Sequence, residues 1–172
     1  MRKYENSKAF RADPVFATTH FAQIWEALRL THIMSCMGLV VGPSGVGKST
    51  AIEMYKKKFC KDTIVIIAGI TMMAVGTVLA AIAEQLGVKY YSSKTNSVYL
   101  QAIVDQLHQH RKLLIIDEAH FLKWESFEAL RQIWDEAQAG IVYVGMERLY
   151  SQMRGRNSKY LYDCLLYTSP SP

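Results

Sequence analysis

The sequence predicts an α/β fold, a three-layer sandwich with helices on both faces of a mostly parallel sheet. Three observations carry this reading. Short apolar runs rich in β-branched residues alternate along the chain with amphipathic stripes. One run, Leu113-Leu114-Ile115-Ile116, is too uniformly apolar for a strand with a wet face and suits a sheet centre covered on both sides. The first apolar run leads directly into a glycine-rich turn and then a helix, as right-handed strand–helix–strand crossovers require.

The elements follow in order. An opening helix is predicted over 20–30, with Phe21, Ile24, Trp25 and Leu28 on one face. The first strand is 38–41, and a helix begins near Lys48. The second strand is 64–67. After it, Val75, Val78, Leu79, Ile82 and Leu86 make a helical stripe that Thr71 can N-cap and Gly87 can end. The 21 uncharged residues over 63–83 satisfy a hydropathy window for a membrane span, but this strand-then-stripe pattern argues against one. Another helix starts after Ser97, with Leu100, Ile103, Val104 and Leu107 as its stripe. The third strand is 113–116. Phe127, Leu130, Ile133, Trp134 and Ala137 mark a further helix, Gly140 breaks it, and 141–144 is a fourth strand.

Composition narrows the classes. The 172 residues suit one domain, and with half apolar and a fifth charged the chain is globular rather than disordered, collagen-like or disulfide-rich. Twenty basic against 15 acidic side chains leave +5, which permits a polyanionic partner without demanding one. Cys36, Cys60 and Cys164 are widely spaced with no CxxC pair, against a zinc ribbon or a secreted disulfide scaffold. The basic N-terminus lacks the apolar core of a signal peptide. A cytoplasmic protein with no membrane association is expected.

Gly42-Pro43-Ser44-Gly45-Val46-Gly47-Lys48-Ser49 is a complete GxxxxGK[ST] phosphate loop, the Walker A motif, followed by Thr50. Its glycines let successive N–H groups converge on phosphates, and the next helix aims its positive end at the same charge. Lys48 is placed to reach the phosphates and the Ser49 hydroxyl to coordinate Mg²⁺. Asp117 and Glu118 stand directly after the third apolar run, the Walker B place, where ligands of open α/β sheets collect. Asp117 can hold the Mg²⁺ shell through water, and Glu118 can orient or deprotonate an attacking water. Asp117 lies 69 positions after Lys48, leaving room for an intervening strand, and no NKxD guanine motif occurs, so ATP is the expected nucleotide. Asp117-Glu118-Ala119-His120 also spells a helicase box, but 172 residues cannot hold two helicase domains. His120 is read as a surface or supporting residue, and His108 and His110 as solvent-facing rather than metal ligands.

The succession GPSGVGKST, LLIIDEAH and FEALRQIWDEAQAGIVYVGMERLYSQMRG resembles the AAA+ ATPases of the phage Mu transposition protein B type, over about 16–159. The resemblance implies an AAA+ core of the P-loop NTPase class, and a protein that binds ATP and Mg²⁺. It further implies an ATPase that oligomerises on duplex DNA and presents it to a transposase. Lys48, Ser49, Asp117 and Glu118 keep their roles. The end of the fourth strand, Gly145-Met146, is where such proteins place a γ-phosphate sensor, and methionine is no strong donor. Alternatives are a helicase loader, a STAND-type ATP switch, or a nucleotide-binding module with little turnover.

Three basic clusters are candidate DNA contacts: Lys56, Lys57, Lys58 and Lys61; Lys89 and Lys94 with Tyr90 and Tyr91; and Arg148, Arg154, Arg156 and Lys159. Arg154 or Arg156 could act as an arginine finger. The expected organisation is an extension over 1–15, the nucleotide-binding domain over 16–163, and a non-native or disordered tail over 164–172. Four strands are expected, without the fifth strand and helical lid of an AAA+ core, because the Pro/Ser-ending tail shows no structural period.

Overall fold

The apolar runs become strands of a single parallel sheet. In the computed structural model, which describes residues 19–72, 74–88, 95–154 and 165–168, these are β1 (Met37–Val41), β2 (Thr63–Ile67), β3 (Leu113–Asp117), β4 (Gly140–Gly145) and β5 (Leu165–Thr168). The order is β2-β3-β4-β1-β5, with every pairing parallel. β1, β3 and β4 are buried along their whole length, which explains why they read as continuous apolar runs rather than alternating ones.

Successive residues of the central strands serve opposite faces. Val40, Leu113, Ile115, Val142 and Val144 pack under α1 (Thr19–Met34) and α2 (Lys48–Lys58), against Phe21, Ile24, Leu28, Ile52 and Tyr55. Leu39, Val41, Leu114, Ile116, Ile141 and Tyr143 face the other way. They meet α3 (Val75–Gln85), α4 (Asn96–Gln109), α5 (Trp124–Ala137) and α6 (Glu147–Arg154). Three layers result, as expected. α1 lies so close to the sheet that a Cβ on Gly140 would stand 2.6 Å from the Thr31 carbonyl oxygen.

The structure revises four details. The sheet has a fifth strand at Leu165–Thr168, inside the tail expected to be unstructured. β1 offers this run a free edge of backbone donors and acceptors, and four residues are too few to display a period. α1 continues to Met34, beyond its apolar stripe, because Thr31 is buried against the sheet. α3 is capped by Ala74 and not Thr71, since Ile70–Met72 forms a separate 3₁₀ turn. α4 starts at Asn96 with Thr95 as N-cap, and the Ser97 hydroxyl lies 2.8 Å from that of Thr95.

Gly87 does end the α3 segment. Its φ is +71°, and the Val88 and Gly87 amides donate to Ala83 and Glu84, the paired bonds of a Schellman cap. The uncharged 63–83 stretch divides between β2, the 3₁₀ turn and α3. Among the described residues no helix is long and apolar enough to cross a membrane.

Candidate functional site

The phosphate loop leaves β1 and closes on the first turn of α2. Gly45 and Gly47 hold φ of +86° and +92°, and a Cβ on either would meet nothing within 4 Å. It is the dihedral and not the space that reserves these positions for glycine. Gly47 is the N-cap of α2, so the helix directs its unpaired amides and positive dipole end toward the loop. The Gly42 amide donates to the Gly145 carbonyl at 3.2 Å, which ties the loop to the end of β4. Lys48 is buried, and its Nζ donates to the carbonyls of Gly42 (2.8 Å) and Pro43 (2.7 Å). Burial lowers the Lys48 pKa, and the nearby Glu118 and Asp117 carboxylates oppose that shift.

The acidic pair ends β3. Asp117 is buried and its Oδ1 accepts the Glu118 amide at 2.9 Å. Burial raises its pKa, the amide hydrogen bond opposes this, Glu118 adds to the rise, and Lys48 lowers it. Glu118 itself sits at φ +53°, the left-handed region that costs a non-glycine residue about 1–2 kcal/mol. That turn takes the chain out of the strand, so Asp117 stays buried while Glu118 lines a cavity. A 3₁₀ turn, Ala119–Phe121, follows.

The cavity, of about 180 Å³, is lined by Ser44, Gly45, Gly47, Lys48, Ser49, Thr50, Glu118 and Met146. Most of the residues singled out in the sequence therefore converge on it. Gly42, Pro43 and Val46 shape the loop without lining the cavity, and Asp117 is at the buried strand end. β4 lies between β1 and β3, which is why Met146, just past β4, joins the loop and Glu118 on one rim.

His120 is not a surface residue. It is buried, and its Nδ1 stands 3.3 Å from Glu118 Oε2 and 3.3 Å from the Met146 amide nitrogen. Burial, Arg148 and Lys48 lower its pKa, against the pull of Glu118. α6 grips the same turn: Gln152 Nε2 donates to the His120 carbonyl at 3.2 Å, and the Arg148 guanidinium lies 5.1 Å from the Phe121 ring centre. This placement is not legible in the sequence, because Gly145, whose missing Cβ leaves room for the ring, is 25 residues away. A Cβ there would stand 3.1 Å from His120 Nδ1.

The outlying candidates do not join the cavity. Lys56, Lys57, Lys58 and Lys61 are exposed near the C-terminus of α2, with Lys58 Nζ 5.5 Å from the Trp25 ring centre. Arg154 donates to the Tyr150 hydroxyl at 3.2 Å. Lys89, Tyr90, Tyr91, Lys94, Arg156 and Lys159 lie outside the described residues. His108 and His110 are exposed, and among the described residues no group of three or more His, Cys, Asp or Glu could hold a metal ion.

Comparison with known proteins agrees with this fold. The chain is 31% identical over 155 residues to the Mu-like prophage FluMu DNA transposition protein B of Haemophilus influenzae, covering 90% of this chain and 53% of that protein. It is 28% identical over 158 residues to the ATP-dependent target DNA activator B of Escherichia phage Mu, covering 91% of this chain and 50% of that protein. The chain thus spans about half the length of these relatives. In fold it is similar to Cdc6p from Pyrobaculum aerophilum, with a TM-score of 0.65 at 16% identity over 87% of this chain and 44% of that one. It is similar also to the Aeropyrum pernix ORC1 protein in complex with DNA, with a TM-score of 0.60 at 19% identity over 89% of this chain and 45% of that one. A family model for the AAA domain matches residues 35–153, and the chain belongs to the AAA domain family.

Proposed function

We propose that this protein is a cytoplasmic ATPase that binds Mg²⁺-ATP at the phosphate loop and, in its ATP state, oligomerises on duplex DNA and delivers that DNA to a transposase. The observation that carries the nucleotide half is the convergence on one cavity of Lys48, at the start of the helix that follows β1, and Glu118, just past the end of β3. The loop from Gly42 to Thr50 offers amides and a helix N-terminus to the phosphates. Lys48 exchanges its two carbonyl partners for phosphate oxygens.

The Ser49 hydroxyl and Asp117 carboxylate are hard oxygen donors that fit Mg²⁺, an ion that commonly takes one or two protein ligands beside phosphates and water. When bound, Mg²⁺ neutralises charge on the phosphate oxygens. Glu118 accepts a proton from, or orients, the water that attacks the γ-phosphate. The DNA half rests on the relatives, which are named as a DNA transposition protein and an ATP-dependent target DNA activator, and on the exposed lysines at the end of α2.

Co-sedimentation with duplex DNA at low salt tests this reading. Binding that requires ATP and is lost with ADP supports it, and DNA affinity that is absent with every nucleotide overturns the DNA half. One observation favours a second reading, a nucleotide-binding module with little turnover. Met146 stands at the sensor place, and its thioether does not donate a hydrogen bond. Bound ATP that releases no phosphate even with DNA selects that reading.

A further inference from the structure

His120 offers a single atom to two groups on the rim of the cavity. Nδ1 lies 3.3 Å from the Met146 amide nitrogen, which can only donate, and 3.3 Å from Glu118 Oε2, which as a carboxylate can only accept. A neutral imidazole cannot satisfy both, because Nδ1 carries either a lone pair or a proton. With the proton on Nε2, Nδ1 accepts from Met146 and the Glu118 carboxylate has no donor from this ring. With the proton on Nδ1, the ring holds Glu118 and the Met146 amide is released. Both partners line the nucleotide cavity, while the His120 side chain is almost completely buried, at 2% exposure.

We propose that His120 is a positioning residue that links the sensor place to the catalytic carboxylate, its Nδ1 accepting from the Met146 amide without nucleotide and donating to Glu118 when a nucleoside triphosphate is bound. The Nε2 proton passes to water as Nδ1 takes one from water, so that the ring stays neutral. The free-state choice follows from exposure. The Glu118 side chain is 40% exposed and can be solvated, whereas an unpaired, part-buried amide is costly. Phosphate charge entering the cavity reverses the balance. It repels the Glu118 carboxylate toward a donor and gives the released Met146 amide an anionic acceptor. The backbone of residue 146 then supplies the donor that its side chain lacks. The neutral ring is consistent with the lowered His120 pKa. The Gln152 bond to the His120 carbonyl and the Arg148–Phe121 contact give the turn a firm seat on α6.

This inference rests on the proposed ATP site, and the tests separate the two. In the full chain, His120→Ala is expected to lower kcat about tenfold or more while KM for ATP stays within about twofold, because the ring orients the base and does not touch the nucleotide. His120→Asn, whose side-chain amide offers both a donor and an acceptor near the place of Nδ1, is expected to recover most of kcat. The ¹⁵N signals of the wild-type ring provide a readout that survives poor folding of either variant. Nδ1 is expected to move from its unprotonated to its protonated range on addition of Mg²⁺ and a non-hydrolysable ATP analogue. A ring tautomer unchanged by the analogue in a chain that binds it, or an unchanged kcat in a folded His120→Ala, overturns the inference and leaves the ATP site standing. A wild-type chain that binds no nucleotide overturns both.

Discussion

Replacing Lys48 by alanine is the perturbation whose size the geometry constrains best. The ammonium is buried and has two neutral carbonyl acceptors at 2.8 and 2.7 Å. Against one phosphate charge at about 4 Å, a lysine gains about 4 kcal/mol at an effective dielectric of 20. Turning to the phosphate gives up two charge-assisted hydrogen bonds worth about 1.5 kcal/mol each at the low end of their range. About 1 kcal/mol remains, so Lys48→Ala is expected to weaken ATP binding roughly fivefold. Displacement of a fluorescent ATP analogue at fixed Mg²⁺ and ionic strength measures this, with a thermal melt to confirm that the variant is folded. A folded Lys48→Ala chain that binds ATP within twofold of wild type refutes the placement of phosphates at this lysine.

Gly47→Ala forces a β-carbon onto φ +92°. It is expected to cost about 1–2 kcal/mol in denaturant unfolding and to weaken nucleotide binding at the same time. Gly140→Ala makes a different kind of damage, since its Cβ meets backbone, the Thr31 carbonyl at 2.6 Å, which no rotamer change relieves. A loss of about 1–3 kcal/mol of stability is expected, with ATP affinity of the remaining folded protein unchanged. Asp117→Asn tests the buried carboxylate. A folded pKa raised above the unfolded one means the native state holds the extra proton, so stability falls as pH rises through that raised pKa. The asparagine variant is therefore expected to be the more stable chain near neutral pH and to lose that advantage in acid. Melts across the pH range that show the opposite trend contradict the burial of Asp117.

The parts of this molecule legible in sequence are those whose signal is local. The phosphate loop, the uniformly apolar 113–116 run and the stripe of α3 each carry their reason within about a dozen residues. What sequence could not show depends on contacts between distant segments. Leu165–Thr168 is a strand because β1 offers an open edge, and nothing within the tail announces that. Thr31 prolongs α1 because Gly38 and Gly140 let it sink onto the sheet. Within the site, Lys48 and Glu118 could be named from their motifs. The role of His120 needed Gly145, Met146 and Gln152 to be seen around it. At position 146 a side chain without a donor does not leave the rim without one, because the backbone amide there survives any substitution but proline.

In the proposed reaction a triphosphate held by the loop at Lys48 is cleaved by a water that Glu118 activates. Phosphate release from ATP, measured with and without duplex DNA for the wild-type chain and Glu118→Gln, tests it most directly. The expected result is turnover in the wild type that DNA stimulates, and a fall of about 10²–10⁴-fold in Glu118→Gln with ATP still bound. Equal turnover in a folded Glu118→Gln chain would contradict it.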